Sequence, residues 1–423
     1  MQLVGQNLAE MGLPAALVRM QEAPSAELQA STIGFLLVLT VPLVLILIVL
    51  AFVVVPGIAN SSEILQVVAI TLLALPVYAV RAVPMAMMDR EMQFGRVAAV
   101  EAADTIGFNC FALTAALLGL GVFSLSGAVP FGATLGTLVT WIVRRRFVRR
   151  PRFDFARVRP LIGFGSRVSV LGMLYLGRDL GFVTVIGAIG GTSMAGYYAM
   201  AKRFFSFPVA LSAAVSRVTL PALSQSGSQR SARAARMLGQ IALVCGLPMA
   251  LLVGAIQPLV TVLLGSRWLP TCDIVIFGAL SMMLVASLAA PMNAYFLAEG
   301  KPDAPVAAIG LELIVSLALT ALLIEGLHSS GIGIAMSIGS LASAVVLLRS
   351  AGPTVRRGAT AMGRAIAIAF VAAVAGQLLP VHDGLAGLAA SLAAACATWL
   401  ALSTLFSKPE MASVLSRART LIP

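Results

Sequence analysis

Charge and reactive side chains are what this 423-residue chain has little of. Asp, Glu, Lys and Arg together make up 11% of it, His occurs twice and Trp three times, against 59% apolar residues. With a mean hydropathy of +0.98, the chain lacks the polar surface that a water-soluble globule of its size needs. The four cysteines, Cys110, Cys245, Cys272 and Cys396, are scattered through apolar stretches with no CxxC pair and no neighbouring His. That excludes a disulfide framework and a zinc site and leaves them as small core residues. His328 and His382 fall in separate connections and offer neither metal-ligand spacing nor a catalytic triad. No GxxxxGK[ST] loop is present, the one Gly-Lys being Gly300-Lys301, so nucleotide hydrolysis by that route is excluded. The first residues show no basic stretch, apolar run and small-residue cleavage site in succession, so they are not read as a signal peptide. Neither an enzyme, a cofactor nor a metal centre is expected.

What is there is a succession of apolar runs, each near the roughly 20 residues needed to cross a hydrocarbon core about 30 Å thick. Runs bounded by Pro, Gly or charge predict transmembrane helices near 31–56, 63–83, 97–121, 123–148, 160–188, 193–222, 237–264, 270–298, 303–325, 331–350, 361–380 and 384–406. Residues 1–13 look like the tail of a further helix. The expected fold is an all-α polytopic membrane protein with about 12 full transmembrane helices and an N-terminal partial one.

Lys and Arg fall in alternate connections, as the bias toward basic cytoplasmic loops requires. Arg81, Arg90 and Arg96 lie between the second and third spans, and eight Arg occupy 144–159 (RRRFVRRPRFDFARVR). Arg230, Arg233 and Arg236, then Lys301, then Arg349, Arg356, Arg357 and Arg364, and finally Lys408, Arg417 and Arg419 continue the alternation, and only Arg267 breaks it. The C-terminus is therefore predicted cytoplasmic. The net charge of +12 reflects this one-sided distribution beside an anionic leaflet, not nucleic-acid binding.

An internal repeat sets the register of the whole chain. Leu13-Pro14-Ala15 matches Leu220-Pro221-Ala222, Pro84-Met85 matches Pro291-Met292, and Arg149-Arg150 matches Arg356-Arg357, each displaced by 207 residues. The same shift carries the first four spans onto 238–263, 270–290, 304–328 and 330–355. Two parallel repeats are expected, related by an axis along the membrane normal. They would form an N-terminal lobe, 1–148, and a six-helix C-terminal lobe, 160–350. A basic cytoplasmic linker at 144–159 would join them, with two additional helices at 361–406 and a cytoplasmic tail at 407–423. Shifted backwards, 160–188 falls before Met1, so the first lobe is expected to lack its first helix and most of its second, roughly 45–60 residues. Gly132-x-x-x-Gly136 is read as a helix-packing motif.

Charges inside spans are costly and are the default functional candidates. Arg167, Arg178, Lys202, Arg203 and Arg217 qualify. Arg167 and Arg178 return to nearly one helical face about 16 Å apart, and Arg203 and Arg217 share a face within about 40°. Guanidinium groups lining a cavity suit a diphosphate or carboxylate, because their planar fork donates two parallel hydrogen bonds. Against this, Arg178 could be neutralised by Asp179, although adjacent helical residues do not face each other, and Arg217 could snorkel to the surface. Glu101, Asp104, Asp273 and Glu312 are candidates for coupling to H⁺ or Na⁺, with Asp273 equally suited to stabilising a helix N-terminus.

Four segments carry a resemblance: 84–96 (PMAMMDREMQFGR), 196–203 (GYYAMAKR), 217–223 (RVTLPAL) and 264–270 (LGSRWLP). They resemble the polysaccharide transporter family, the Wzx-like O-antigen and exopolysaccharide flippases of the multidrug/oligosaccharidyl-lipid/polysaccharide superfamily. That resemblance implies two six-helix lobes around a central cavity and alternating access. It also implies translocation of undecaprenyl-diphosphate-linked oligosaccharide repeat units across a bacterial inner membrane for lipopolysaccharide or exopolysaccharide synthesis. The implied partners are the lipid-linked oligosaccharide, membrane lipids, and polysaccharide polymerase and export proteins. A cation-coupled multidrug efflux transporter of the same superfamily and a non-transporting scaffold of an assembly complex are the competing readings.

Overall fold

The computed structural model describes residues 10–20, 22–58, 62–143, 150–378, 385–407 and 410–412, apart from the side chains of 54–58, 62, 207–209 and 211–217. Residues 144–149 of the basic linker, His382, Lys408, Arg417 and Arg419 lie outside the described residues. The described chain is helical and contains no β-strand. In order, it forms α1 (Leu13–Arg19), α2 (Ala26–Ile58), α3 (Ser62–Leu72), α4 (Ala74–Arg90), α5 (Phe94–Leu117), α6 (Phe123–Val143) and α7 (Phe155–Ser224). There follow α8 (Arg230–Gly254), α9 (Ile256–Leu263), α10 (Pro270–Leu284), α11 (Ala290–Glu299), α12 (Asp303–Ser350), α13 (Pro353–Gln377) and α14 (Leu385–Phe406). A π-helical turn, Val285–Ala289, joins α10 to α11.

Among the described residues, nine helices are long and apolar enough to cross a membrane. The protein is therefore a multi-pass membrane protein. Two of the nine are double length. A straight helix of the 48 residues of α12 would measure about 72 Å, more than twice the hydrocarbon thickness. Both α7 and α12 are in fact hairpins. In α7 the backbone leaves the helical region at Gly191, φ 78° and ψ 177°, a conformation open essentially to glycine alone. Phe182 and Tyr198 then stack across the turn with ring centroids 5.6 Å apart; along one helix they would be separated by about 24 Å. His328, φ 48° and ψ −125°, makes the equivalent break in α12. Both breaks fall between spans expected from the sequence. The 24-residue α5, with Arg96, Glu101 and Asp104 along it, is not among the nine.

The 207-residue displacement reappears in the element bounds. Adding 207 to 26–58, 62–90, 94–117 and 123–143 gives 233–265, 269–297, 301–324 and 330–350. The observed segments run over 230–263, 270–299, 303–327 and 329–350.

The chain divides into two compact units, Met1–Leu176 and Gly177–Pro423. The division falls inside α7, between Leu176 and Gly177. The described part of the linker is bound to the first unit. Arg152 N–H donates to Ala30 O at 3.1 Å, Arg157 pairs with Glu27 at 2.5 Å, and Phe155 lies 6.1 Å from Phe35 between ring centroids. The basic run is thus partly a packing segment on α2. In the same unit Arg90 closes the C-terminal end of α1, donating to Leu17 O at 3.3 Å, to Val18 O at 3.0 Å and to Met20 O. A guanidinium there satisfies carbonyls that the helix leaves unbonded and complements its dipole.

Apolar side chains on α2 such as Leu45 (59%) and Val53 (72%) point outward, the arrangement that a hydrocarbon solvent favours. In the second unit one continuous core joins the α7 hairpin, α8, α10, α12 and α13 through Phe182, Tyr198, Leu238, Met283, Ile332 and Ala369.

Candidate functional site

The second unit holds a cavity of about 210 Å³ with four charged side chains on its wall. Arg178, Asp179, Lys202 and Glu312 line it, together with Phe182, Tyr198, Phe205, Ser206, Ser281, Met282, Ser316 and Met336. The hairpins position these groups. Asp179 lies twelve residues before Gly191 and Lys202 eleven after it, so folding at Gly191 brings them level. In α12, Glu312 and Ser340 straddle His328 in the same way. Gly339 permits the close approach there, since a Cβ at that position would sit 2.7 Å from Ser316 Cβ.

The four charges form an alternating chain. Lys202 Nζ donates to Asp179 Oδ2 at 3.0 Å, Asp179 Oδ1 lies 3.5 Å from Arg178 Nη2, and Arg178 Nη1 donates to Glu312 Oε1 at 2.8 Å. Ser340 Oγ donates to the same Glu312 oxygen at 3.2 Å and shares a 2.6 Å hydrogen bond with Ser281 Oγ. Glu312 is the deepest member, its side chain 5% exposed, against 17% for Arg178, 40% for Lys202 and 43% for Asp179. The cationic cavity expected from the sequence is therefore balanced, two cations against two carboxylates. Low dielectric is the reason, because unpaired charges at this depth cost several kcal/mol each.

The remaining candidates disperse. Arg203 is exposed and absent from the cavity lining, while Arg167 is an exposed residue of the first unit. The Arg217 side chain lies outside the described residues. Asp273 sits in the first turn of α10 and accepts a 2.8 Å hydrogen bond from Ser329 Oγ, a place where the helix dipole stabilises it. Glu101 is half-buried in α5. Among the described residues, no three His, Cys, Asp or Glu side chains converge as metal ligands would.

Asp104 belongs to a second ion pair, in the first unit. Arg81 Nη2 donates to its Oδ2 at 2.5 Å, and the Arg81 guanidinium lies 4.5 Å from the centre of the Tyr78 ring. Arg81 is not a loop residue as its place in the charge alternation suggested, because α4 continues through Pro84 to Arg90. Gly132 and Gly136 on α6 make room for this pair. A Cβ at Gly132 would meet Asp104 O at 2.7 Å, and one at Gly136 would collide with Arg81 Nη1. The packing motif thus has a specific occupant, a buried salt bridge.

From the sequence, Asp179 is weighed only as a neighbour of Arg178 and Arg81 is placed in a connection, so neither is among the site candidates. Asp179 could have been paired with Lys202 by their near-equal distances from Gly191.

The profile of a family described as polysaccharide biosynthesis protein matches residues 2–273. The chain belongs to this family. Among curated relatives, the family member is similar to the teichuronic acid biosynthesis protein TuaB of Bacillus subtilis (strain 168), 22% identical over 304 residues, covering 70% of this chain. The match spans 62% of that relative's own length, short of two thirds. Among solved structures it resembles the Vibrio cholerae MATE transporter VcmN in its bent form (TM-score 0.61, 14% identity, 85% and 87% of the two chains covered). It likewise resembles the lipid II flippase MurJ in an inward closed conformation (TM-score 0.63, 15% identity, 96% and 90% covered). A eukaryotic MATE transporter, AtDTX14, gives a TM-score of 0.65 at 14% identity, with 86% and 88% covered. At such identities the likeness to the solved structures is one of fold, shared by transporters and a flippase.

Proposed function

We propose that this member of the polysaccharide biosynthesis family is a flippase for undecaprenyl-diphosphate-linked oligosaccharide repeat units. It would act in a bacterial inner membrane with its C-terminus cytoplasmic and supply O-antigen or exopolysaccharide assembly. The observation that carries this reading is the placement of Arg178 and Lys202 on the wall of a cavity inside an otherwise apolar helical unit. Cations at that depth are retained against a large desolvation cost when they face a polar ligand or pathway. A guanidinium and an ammonium side by side can take the oxygens of a diphosphate, while the lipid tail stays in hydrocarbon. Family membership supports the polysaccharide side of the reading and the fold likeness supports its transport side. Polymerase and export proteins are the partners such a role requires.

Ion coupling belongs to the proposal. Asp104 and Glu312, each already opposite an Arg, are the carboxylates whose protonation or Na⁺ binding would release a cation. A second reading, cation-coupled efflux of cationic drugs, is favoured by the same two acids and by the MATE-like fold. Complementation separates them. In a strain lacking its own flippase, the chain should restore surface polysaccharide and Arg178→Ala should not; restored drug resistance without surface polysaccharide would overturn the proposal.

A further inference from the structure

Asp179 holds the place that a diphosphate would take. Its two oxygens face the two cavity cations separately, Oδ2 toward Lys202 Nζ at 3.0 Å and Oδ1 toward Arg178 Nη2 at 3.5 Å. A pair of phosphoryl oxygens would make the same bridging contact. The other carboxylate is placed differently. Glu312 lies behind Arg178 with its side chain 5% exposed, held by both Arg178 and Ser340. Removing it would leave a buried guanidinium without its closest counter-charge, which is strongly unfavourable. The Asp179–Lys202 pair, at 43% and 40% exposure, lies on the accessible side, where a single ion pair is worth little and can open readily.

We propose that Asp179 is an internal competitor for the anion site, a specificity-determining residue that an incoming diphosphate must displace from Lys202 and Arg178, while the more deeply buried Glu312 keeps its place against Arg178 during that exchange. This inference rests on the reading of the cavity as an anionic head-group site. The consequence is selectivity by charge and geometry. A monovalent anion replacing the carboxylate gains no charge over the group it displaces. A diphosphate carries more charge than the group it displaces and reaches both cations at once. Asp179 therefore keeps abundant small anions out of the site and makes the cavity close on itself, neutral, when the substrate leaves.

The test is binding to the purified full chain in detergent micelles, with inorganic pyrophosphate and undecaprenyl diphosphate as probes and chloride as competitor. Asp179→Asn should bind both probes about threefold to fivefold tighter than wild type, since the carboxylate no longer has to be displaced from Lys202 and Arg178. Chloride should compete in Asp179→Asn and not in wild type. Asp179→Glu, which keeps the carboxylate, should stay near wild type, and Arg178→Gln added to Asp179→Asn should abolish the gain. Equal affinity of Asp179→Asn and wild type, with binding still lost in Arg178→Gln, would overturn the competitor role and leave the head-group site standing. The same tightening in Asp179→Glu as in Asp179→Asn would overturn it as well. Absence of probe binding in wild type and Asp179→Asn alike would remove the head-group site and the inference together. Tightening for pyrophosphate alone would assign the site to a free anion and overturn the lipid-linked reading.

Discussion

Arg178 and Glu312 meet at 2.8 Å although 134 residues separate them in sequence. Each stands on one arm of a different hairpin, so this contact ties the α7 hairpin to the α12 hairpin within the second unit. The pair is both a wall of the cavity and a fastening of the bundle.

Breaking that fastening has a cost that can be read. Glu312→Gln takes from Arg178 its closest counter-charge and should destabilise the second unit by about 3 kcal/mol. Replacing both residues, Arg178→Gln with Glu312→Gln, should recover much of the loss. Thermal unfolding of the purified variants in detergent measures both. A double variant less stable than either single one would show that the pair does not act as a unit.

Lys202 and Arg203 are neighbours in sequence with opposite surroundings, one lining the cavity and the other exposed. Lys202→Ala should lower surface polysaccharide at least about tenfold in complementation, the loss of roughly one charge-assisted contact. Arg203→Ala should remain near wild type. The reverse order would contradict the assignment of the cavity.

In the first unit the two glycines of α6 should differ in sensitivity. Gly132→Ala drives a methyl group against the backbone carbonyl of Asp104, which cannot yield, whereas Gly136→Ala meets the far end of the Arg81 side chain. Gly132→Ala should therefore lower the unfolding temperature more. Asp104→Asn should join it, since Arg81 is mostly buried, its side chain 13% exposed, and one of its guanidinium nitrogens, Nη1, has no hydrogen-bond partner among the described residues. Equal stability of all three variants and wild type would exclude the packing role.

Gly191 sits at a backbone angle that a side chain disfavours by about 1–3 kcal/mol. Gly191→Val should destabilise the hairpin and reduce the yield of folded protein, while Gly196→Ala, at a helical position with open space around it, should be neutral. Limited proteolysis of membranes expressing each variant makes the comparison. A fully protected Gly191→Val would refute the turn.

The fold was largely legible because the bilayer imposes a simple code. Spans must be apolar, about 20 residues long and internally hydrogen-bonded, so composition alone predicts helices and their connections. The 207-residue displacement of Leu13-Pro14-Ala15 and Leu220-Pro221-Ala222 carried the repeat. Arg178, Lys202 and Glu312 were legible as in-span charges for the same reason, their rarity in hydrocarbon. Periodicity did not disclose Arg81, because Pro84 reads as a helix end and the helix runs through it.

By itself, then, the sequence determined a helical membrane protein of two related halves, the approximate spans, and the small set of side chains able to carry charge within them. Tertiary structure alone decided which of those charges meet. Asp179 and Lys202 are brought level by a glycine turn, Arg178 and Glu312 by the packing of two hairpins, and Arg81 and Asp104 by the close approach that glycines allow. The physical reason is one of range: hydropathy is a sum over neighbours in sequence, whereas the neutralisation of a buried charge depends on a single partner within a few ångströms in space.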